Sequence, residues 1–246
     1  MSAPVFVVPP SQVAAGDHLV LGGEEGRHAV TVRRLTVGEA VECVDGAGTR
    51  ARGVVAGVEG KDRLDVMVER VDVEPAPSPR LVVVQAIPKG ERGELAVELL
   101  TEVGADVIIP WAAARCVAQW RGEKAVRGEQ KWRRTAQEAG KQARRSWLPE
   151  VLPMAGTADI VTLLGAVSRA VVLHETGALR LASLALPTDG DIVLIVGPEG
   201  GITDDELAAF GAAGALTCRL GPSVLRTSTA GAAAAAVVMA ASGRWS

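Results

Sequence analysis

Ile192-Val-Leu-Ile-Val-Gly-Pro-Glu-Gly-Gly-Ile-Thr-Asp-Asp-Glu206 runs from an unbroken apolar segment through a glycine-rich turn into a helix start. Five consecutive apolar residues, Ile192–Val196, suit a strand covered on both faces. Thr203-Asp-Asp-Glu206 is a capping box, in which a hydroxyl and a carboxylate three residues apart satisfy each other's backbone N–H groups. A strand that passes at once into a helix is the unit of a parallel α/β sheet. The same rhythm extends outward. Leu81–Ala86, Val107–Ile109, Ala170–Leu173 and Leu216–Leu220 predict further strands, and Glu91–Val103, Lys124–Trp147 and Ser228–Ala241 predict helices.

Upstream the rhythm changes. Glu74-Pro-Ala-Pro-Ser-Pro79 places three prolines in five positions, which neither a strand nor a helix can continue. Residues 75–79 therefore read as a linker between a domain of residues 1–74 and one of residues 80–246. The first carries short β-like runs at Val5–Val8, His18–Leu21, Ala40–Val44, Gly53–Val58 and Leu64–Val71, with one helical stretch at Glu24–Arg34. In Leu64–Glu69 the apolar residues Leu64, Val66 and Val68 alternate inward. Asp45-Gly-Ala-Gly48 suits a hairpin turn. The sum is a small β domain, expected to be a barrel.

The net charge of -3 on 246 residues conceals an uneven distribution. Arg115–Arg145 holds ten basic and three acidic residues, +7, which leaves -10 for the rest. Trp111, Trp120, Trp132 and Trp147 fall in or beside that window. Cations bind phosphate and flat indoles stack on unpaired bases, so a polyanionic partner is compatible with an acidic average. The other reading is a solvated helix whose tryptophans pack inward. Three distant Cys and three scattered His give neither a disulfide framework nor a zinc spacing, and no metal is expected. MSAPVFVVPP lacks the basic start of a signal peptide, and the longest apolar run, Ala230–Ala241, is too short to span a bilayer. A soluble cytoplasmic protein with no membrane partner is expected.

Ligands of open α/β sheets bind at the carboxyl ends of strands. Gly197-Pro-Glu-Gly-Gly201 is one such loop. Leu220-Gly-Pro-Ser-Val-Leu-Arg-Thr-Ser-Thr-Ala-Gly231 repeats the design, and His174-Glu175 end a third strand. Neither the dinucleotide nor the P-loop pattern fits, and the hydrolase elbow is absent. Arg226 has two readings: an ion pair with Asp204, Asp205 or Glu206, or a hold on an anionic substrate group.

With these residues the sequence resembles the ribosomal small subunit methyltransferase E family, which methylates N3 of a uridine in 16S rRNA. The matching segments are His28–Arg34 with Val44–Gly48, Gln85–Gly90, Thr101–Gly104, Glu138–Arg145, Gly197–Gly201 and Leu220–Ala230, in order along nearly the whole chain. The resemblance implies a PUA-like β-barrel followed by a SPOUT-type α/β domain with a C-terminal trefoil knot, usually in a homodimer. It implies S-adenosylmethionine held by three loops. The cofactor positions are Leu173, His174, Glu175 and Gly177; Val196, Gly197, Pro198, Glu199, Gly200, Gly201 and Ile202; and Leu220, Gly221, Ser223, Val224 and Leu225. Arg226 is the expected catalytic cation, stabilising the uracil anion left when N3 loses its proton. Arg33, Arg34, Lys89, Arg115, Arg121, Gln142, Arg144 and Arg145 are the expected contacts to 16S rRNA in the 30S subunit. N3 lies on the pairing edge, so the base must be unpaired or flipped. Two positions depart from the family pattern: Ser228 replaces a glutamate, and Leu99 replaces a lysine whose contact passes to Lys89 or Arg92. A non-catalytic RNA-binding or assembly factor on the same fold is the alternative reading.

Overall fold

The computed structural model describes residues 3–13 and 16–245. The extreme ends of the two expected domains, and the first two residues of the leader reading, lie outside them. The chain divides into two compact units, one of residues up to Ala76 together with Gly140–Leu148, the other of Pro77–Ala139 and the chain from Pro149 onward.

The first unit holds β1 (Val5–Val7), α1 (Pro10–Val13), β2 (His18–Leu21), α2 (Gly23–Arg27), β3 (Ala40–Val44), β4 (Thr49–Glu59) and β5 (Arg63–Val73). The expected helix at Glu24–Arg34 is α2 continued by one wider π-turn over His28–Val32. The strands form one sheet in the order β1-β3-β4-β5-β2, antiparallel except for the β1–β3 pair. Leu64 and Val66 face the core with Phe6 and Leu21, whereas Met67 is exposed. In the β3–β4 turn the Asp45 carboxylate accepts the N–H groups of Ala47 and Thr49 at 2.7 and 2.9 Å, and Gly46 and Gly48 take φ of +77° and +101°. Burial pushes the Cys43 thiol up to about 12, so it stays protonated.

Gly140–Leu148 completes this unit. The Gly48 N–H donates to the Ser146 carbonyl at 3.1 Å and the Leu148 N–H to that of Gly46 at 3.0 Å. The Arg50 guanidinium, 5% exposed, pairs with Glu42 and donates to the Arg144 carbonyl at 2.7 Å, while Arg144 itself reaches Glu42 at 3.1 Å. Burial alone would raise the Glu42 carboxyl, but the hydrogen bonds and charges of Arg50 and Arg144 outweigh it and hold the group below the usual carboxylate range.

The second unit holds β6 (Arg80–Ala86), α3 (Arg92–Val103), β7 (Val107–Trp111), α4 (Glu123–Gln142, whose residues from Gly140 belong to the first unit), β8 (Glu150–Val151), α5 (Thr157–Leu164), β9 (Arg169–Leu173), β10 (Leu179–Arg180), β11 (Asp191–Val196), α6 (Asp204–Ala212), β12 (Leu216–Arg219) and α7 (Thr227–Ala241). All seven strands pair in parallel in the order β10-β12-β9-β11-β6-β7-β8. The apolar runs have the physical cause anticipated: Leu81, Val83 and Leu194 pack into one layer, Val82, Val84 and Val193 into the other. Small residues let α7 lie close to the sheet; a side chain at Gly231 would sit 3.1–3.3 Å from Gln85, Leu100 and Val196.

One expectation needs correction. The long basic helix stops at Gln142 rather than Trp147, because Arg144 turns to a φ of +56° and its carbonyl is taken by Arg50. Of the two readings of the clustered tryptophans, inward packing describes Trp111 and Trp132, while Trp120 and Trp147 keep part of their surface. Trp111 and Trp132 are buried, Trp120 packs edge-on against Trp132 at 5.2 Å, and the Trp147 N–H is spent on the Glu74 carbonyl.

Candidate active site

At the carboxyl ends of β9, β11 and β12, three loops converge on a cleft of about 530 Å³. Its walls include Leu173, His174 and Glu175 after β9, Val196–Ile202 after β11, and Val224–Thr227 leading into α7. Leu220, Gly221 and Ser223 line a smaller adjoining recess that shares Leu173, His174, Glu175, Val224 and Leu225 with the cleft. The sequence-predicted cofactor positions thus come together, with one exception.

Gly177 does not line the cleft. It is buried against β12, where an added Cβ would lie 2.6 Å from the Cys218 carbonyl carbon and 2.8 Å from the Arg219 nitrogen. Its role is to let the β9 loop touch strand backbone, which cannot yield. The His174 N–H donates to the Cys218 carbonyl at 2.9 Å, and the His174 ring bonds the Thr176 hydroxyl at 2.8 Å. Gly177→Ala is expected to cost about 1–3 kcal/mol in urea unfolding, as an overpacked site does.

The β11 loop is shaped by its glycines. At Gly197 a Cβ would meet the Ile202 side chain at 2.6 Å, and at Gly200 it would meet the Arg115 carbonyl at 2.8 Å; Gly201 needs its φ of +77°. Below the loop, Glu206 is 5% exposed and fully engaged. One oxygen accepts the Ala114 N–H at 2.9 Å and the Thr157 hydroxyl at 3.2 Å; the other accepts the Thr203 N–H and hydroxyl at 3.0 Å each. Burial alone would raise this carboxyl, but the backbone and hydroxyl donors outweigh it and hold it below its ordinary 4.5. A depressed native value means that the stabilisation is complete above the unfolded value and is lost as pH falls through the folded one. Glu206→Gln should therefore be less stable by about 1–3 kcal/mol at neutral pH. Its melting temperature should also fall less steeply than that of the unsubstituted protein between roughly pH 5 and 3, followed by circular dichroism.

With Glu206 committed to the loop, Arg226 has no such partner. It is exposed on the cleft and makes no side-chain hydrogen bond or ion pair among the described residues. Of its two readings, the ion pair with Asp204, Asp205 or Glu206 is not formed. Ser228 is 3% exposed in the first turn of α7, and Leu99 is half-buried on α3.

The expected RNA contacts fall into distinct groups. Arg115 lines the cleft and reaches toward the Gly200 carbonyl at 3.4 Å. Lys89 is exposed after β6, its N–H directed at the Glu199 carboxylate at 3.4 Å. Arg121 is exposed ahead of α4, and Gln142 at the end of it. Arg33 and Arg34 are exposed in the first unit. Arg144 is half-buried and tied to Glu42, and Arg145 is half-buried beside it. Thr227 and Ala230 also line the cleft, and Arg219 the recess. Thr227 and Ala230 lie inside the Leu220–Ala230 match and Arg219 just ahead of it, a signal that residue type alone does not carry.

A doubly covered parallel sheet with three strand-end loops around one cleft, in a chain that also carries a small β domain, is the architecture of a ligand-binding α/β enzyme. A family model for an RNA methyltransferase domain matches residues 74–239, and one for an RNA methyltransferase PUA domain matches residues 21–69. The chain belongs to the ribosomal RNA small subunit methyltransferase E family. It is 45% identical over 230 residues to the protein of that name from Mycobacterium bovis, covering 92% of this chain and 87% of that one. The Bacillus subtilis protein of the same name is 29% identical, over 89% and 88% of the two chains. The crystal structure of Ribosomal RNA small subunit methyltransferase E from Neisseria gonorrhoeae bound to S-adenosyl methionine matches with a TM-score of 0.85 at 26% identity, over 97% and 98% of the chains. A Legionella pneumophila methyltransferase in complex with the same cofactor matches at 0.87 and 28%, over 98% of each. The protein is thus an rRNA methyltransferase enzyme. Among its described residues no helix is long and apolar enough to cross a membrane.

Proposed function

We propose that this chain methylates N3 of a specific uridine in 16S rRNA, on the assembled 30S subunit, with S-adenosylmethionine as methyl donor. The observation that carries the reading is the convergence of the β9, β11 and β12 loops on a cleft in which the Arg226 side chain makes no hydrogen bond or ion pair among the described residues. The residues suit the donor. Leu173, Val196, Ile202 and Leu225 offer apolar walls to a purine, and the Gly197–Gly201 backbone lets a ligand approach closely. When bound, the cofactor supplies a methyl group activated on a sulfonium sulfur.

The chain's own residues must do the rest. Uridine N3 becomes nucleophilic only after its proton leaves, which places negative charge on the flanking carbonyl oxygens. Arg226 meets that charge with a planar, cationic fork of N–H donors. Arg115, on the same cleft, holds a neighbouring phosphate, and Lys89, Arg121 and Gln142 extend the grip along the RNA. Arg33 and Arg34 add contacts from the PUA-like domain of residues 1–74, which residues 75–79 join to a SPOUT-type domain of residues 80–246.

We further assign a C-terminal knot, a homodimer and a cytoplasmic setting. Support for the knot comes from the last crossover. β12 lies three strands from β6, yet α7 packs back on β6, β11 and α3. The intervening residues 220–226 must pass across the mouth of the cleft to get there.

Two measurements test the proposal. Incubation with 30S subunits and, separately, naked 16S rRNA from a strain lacking the modification should place one methyl group on N3 of one uridine, preferentially in the subunit, by mass mapping. A product at another atom, or none, overturns it. Calorimetry with S-adenosylmethionine separates the enzyme from a non-catalytic assembly factor, which would show no binding at millimolar ligand.

A further inference from the structure

Beside the methyl-transfer cleft, on the same edge of the sheet, lies a second recess of about 310 Å³ that the reaction so far leaves unused. The loop after β6 forms one wall through Ile87, Pro88 and Gly90; the strand next to β6 is β11, which carries the cleft's central loop. The opposite wall is aromatic. Trp120 is half-buried and fixed from two directions, edge-on against Trp132 and flush against Gly128 of α4, where an added Cβ would come within 2.6 Å of the indole. Its remaining surface lines the recess. Lys124, Arg127 and Lys131 stand exposed along the rim, Arg127 paired with Glu123 at 3.2 Å and Lys131 with Glu94.

One further group points to a ligand. Glu94 lines the recess with one carboxylate oxygen held by Lys131 at 2.8 Å, while the other is buried and has no hydrogen-bond partner among the described residues. A carboxylate oxygen closed off from solvent with no donor is costly, and a turn of the half-buried Glu94 side chain into the recess would bring that oxygen to one. An aromatic face, a cationic rim and an acceptor awaiting a donor are the complement of a nucleotide whose base carries N–H groups. Uracil fits poorly, because its single N–H is flanked by two carbonyl oxygens that would face the carboxylate. Adenine, cytosine and guanine present an amino group.

We infer that this recess receives an unpaired base bearing an exocyclic amino group, a close neighbour of the uridine in the cleft, stacked on Trp120 and read by Glu94. The inference rests on the rRNA methyltransferase reading and adds a sequence-selecting site to it. Trp120 and Glu94 act as positioning and specificity residues, without touching the reacting atoms.

The test combines direct binding with kinetics on the full-length protein. Fluorescein-labelled hexaribonucleotides of adenosine, cytidine and uridine are titrated by anisotropy. The adenosine and cytidine hexamers should bind at least tenfold more tightly than the uridine hexamer, and Glu94→Gln should bring the three within about threefold. On 30S subunits, Trp120→Ala should raise KM about 5- to 150-fold, the range for loss of one stacked base. Its calorimetric Kd for S-adenosylmethionine should stay within twofold. Trp120→Phe, which keeps a ring, should restore most of the KM, and it covers the case in which the alanine variant fails to fold. Equal binding of the three hexamers by the unsubstituted protein, or an unchanged KM in a folded Trp120→Ala, overturns the inference while leaving methylation intact. A protein that methylates nothing and binds no S-adenosylmethionine overturns the functional reading instead, and the hexamer titrations still decide the recess.

Discussion

Arg226→Ala should lower single-turnover methyl transfer by about 10²–10³-fold, the loss expected when one donor to a developing anion is removed. The side chain is exposed, lines the cleft and is engaged in no hydrogen bond or ion pair among the described residues, so its removal orphans none of them. Its backbone carbonyl accepts the N–H groups of Thr229 and Ala230 at 2.9 Å to start α7, and alanine preserves both bonds. Stability should accordingly stay within about 0.5 kcal/mol, as for an ordinary surface substitution. Arg226→Lys keeps the charge but not the planar fork, and should recover only part of the rate. An unchanged single-turnover rate in the alanine variant would remove Arg226 from the mechanism.

An effect of comparable size, on stability rather than rate, should follow from Trp111→Ala. The indole is fully buried at the end of β7, packed edge-on against Phe210 at 5.3 Å, and donates its N–H to the Thr157 hydroxyl at 3.2 Å. Truncation opens a cavity and strips Thr157 of its donor, a loss of about 3–5 kcal/mol. For a chain of this size that lowers the melting temperature by roughly 6–20 °C. The same variant separates the two readings of the clustered tryptophans. A base-stacking residue would lose RNA affinity at constant stability, whereas a core residue loses stability first. A melting temperature unchanged by the substitution would refute the core assignment.

The parts of the fold legible in the sequence are those where local chemistry and tertiary environment agree. Ile192–Val196 and Leu81–Ala86 are apolar throughout because both faces of the sheet are covered, and Thr203 with Glu206 marks a helix start by a bond that the structure contains. The cleft was legible for the same reason: strand ends, glycines and polar turns are local features. What stayed hidden depends on partners distant in sequence. Gly177 looked like a ligand contact but is dictated by the backbone of Cys218, forty-one residues later. Arg144 looked like an RNA contact, yet Glu42 claims it, and its own left-handed turn ends the helix that periodicity extended to Trp147. Glu94 could not be singled out, because a surface carboxylate in the first turn of a helix is ordinary until Trp120 and Lys131 are brought beside it.

The discontinuous make-up of the first unit bears on how the protein is born. Its strands are all translated by Val73, yet the segment that caps Arg50 and Glu42 ends only at Leu148. At bacterial elongation rates of about 5–20 residues per second, the nascent sheet waits roughly 4–15 s for its last piece. Meanwhile the Arg50–Glu42 pair lacks the Arg144 carbonyl and guanidinium that complete it. The amino-terminal unit is thus translated first but cannot be finished first. A ribosome stalled shortly after Val73 should hold a protease-sensitive chain, and one stalled well beyond Leu148 a protected one.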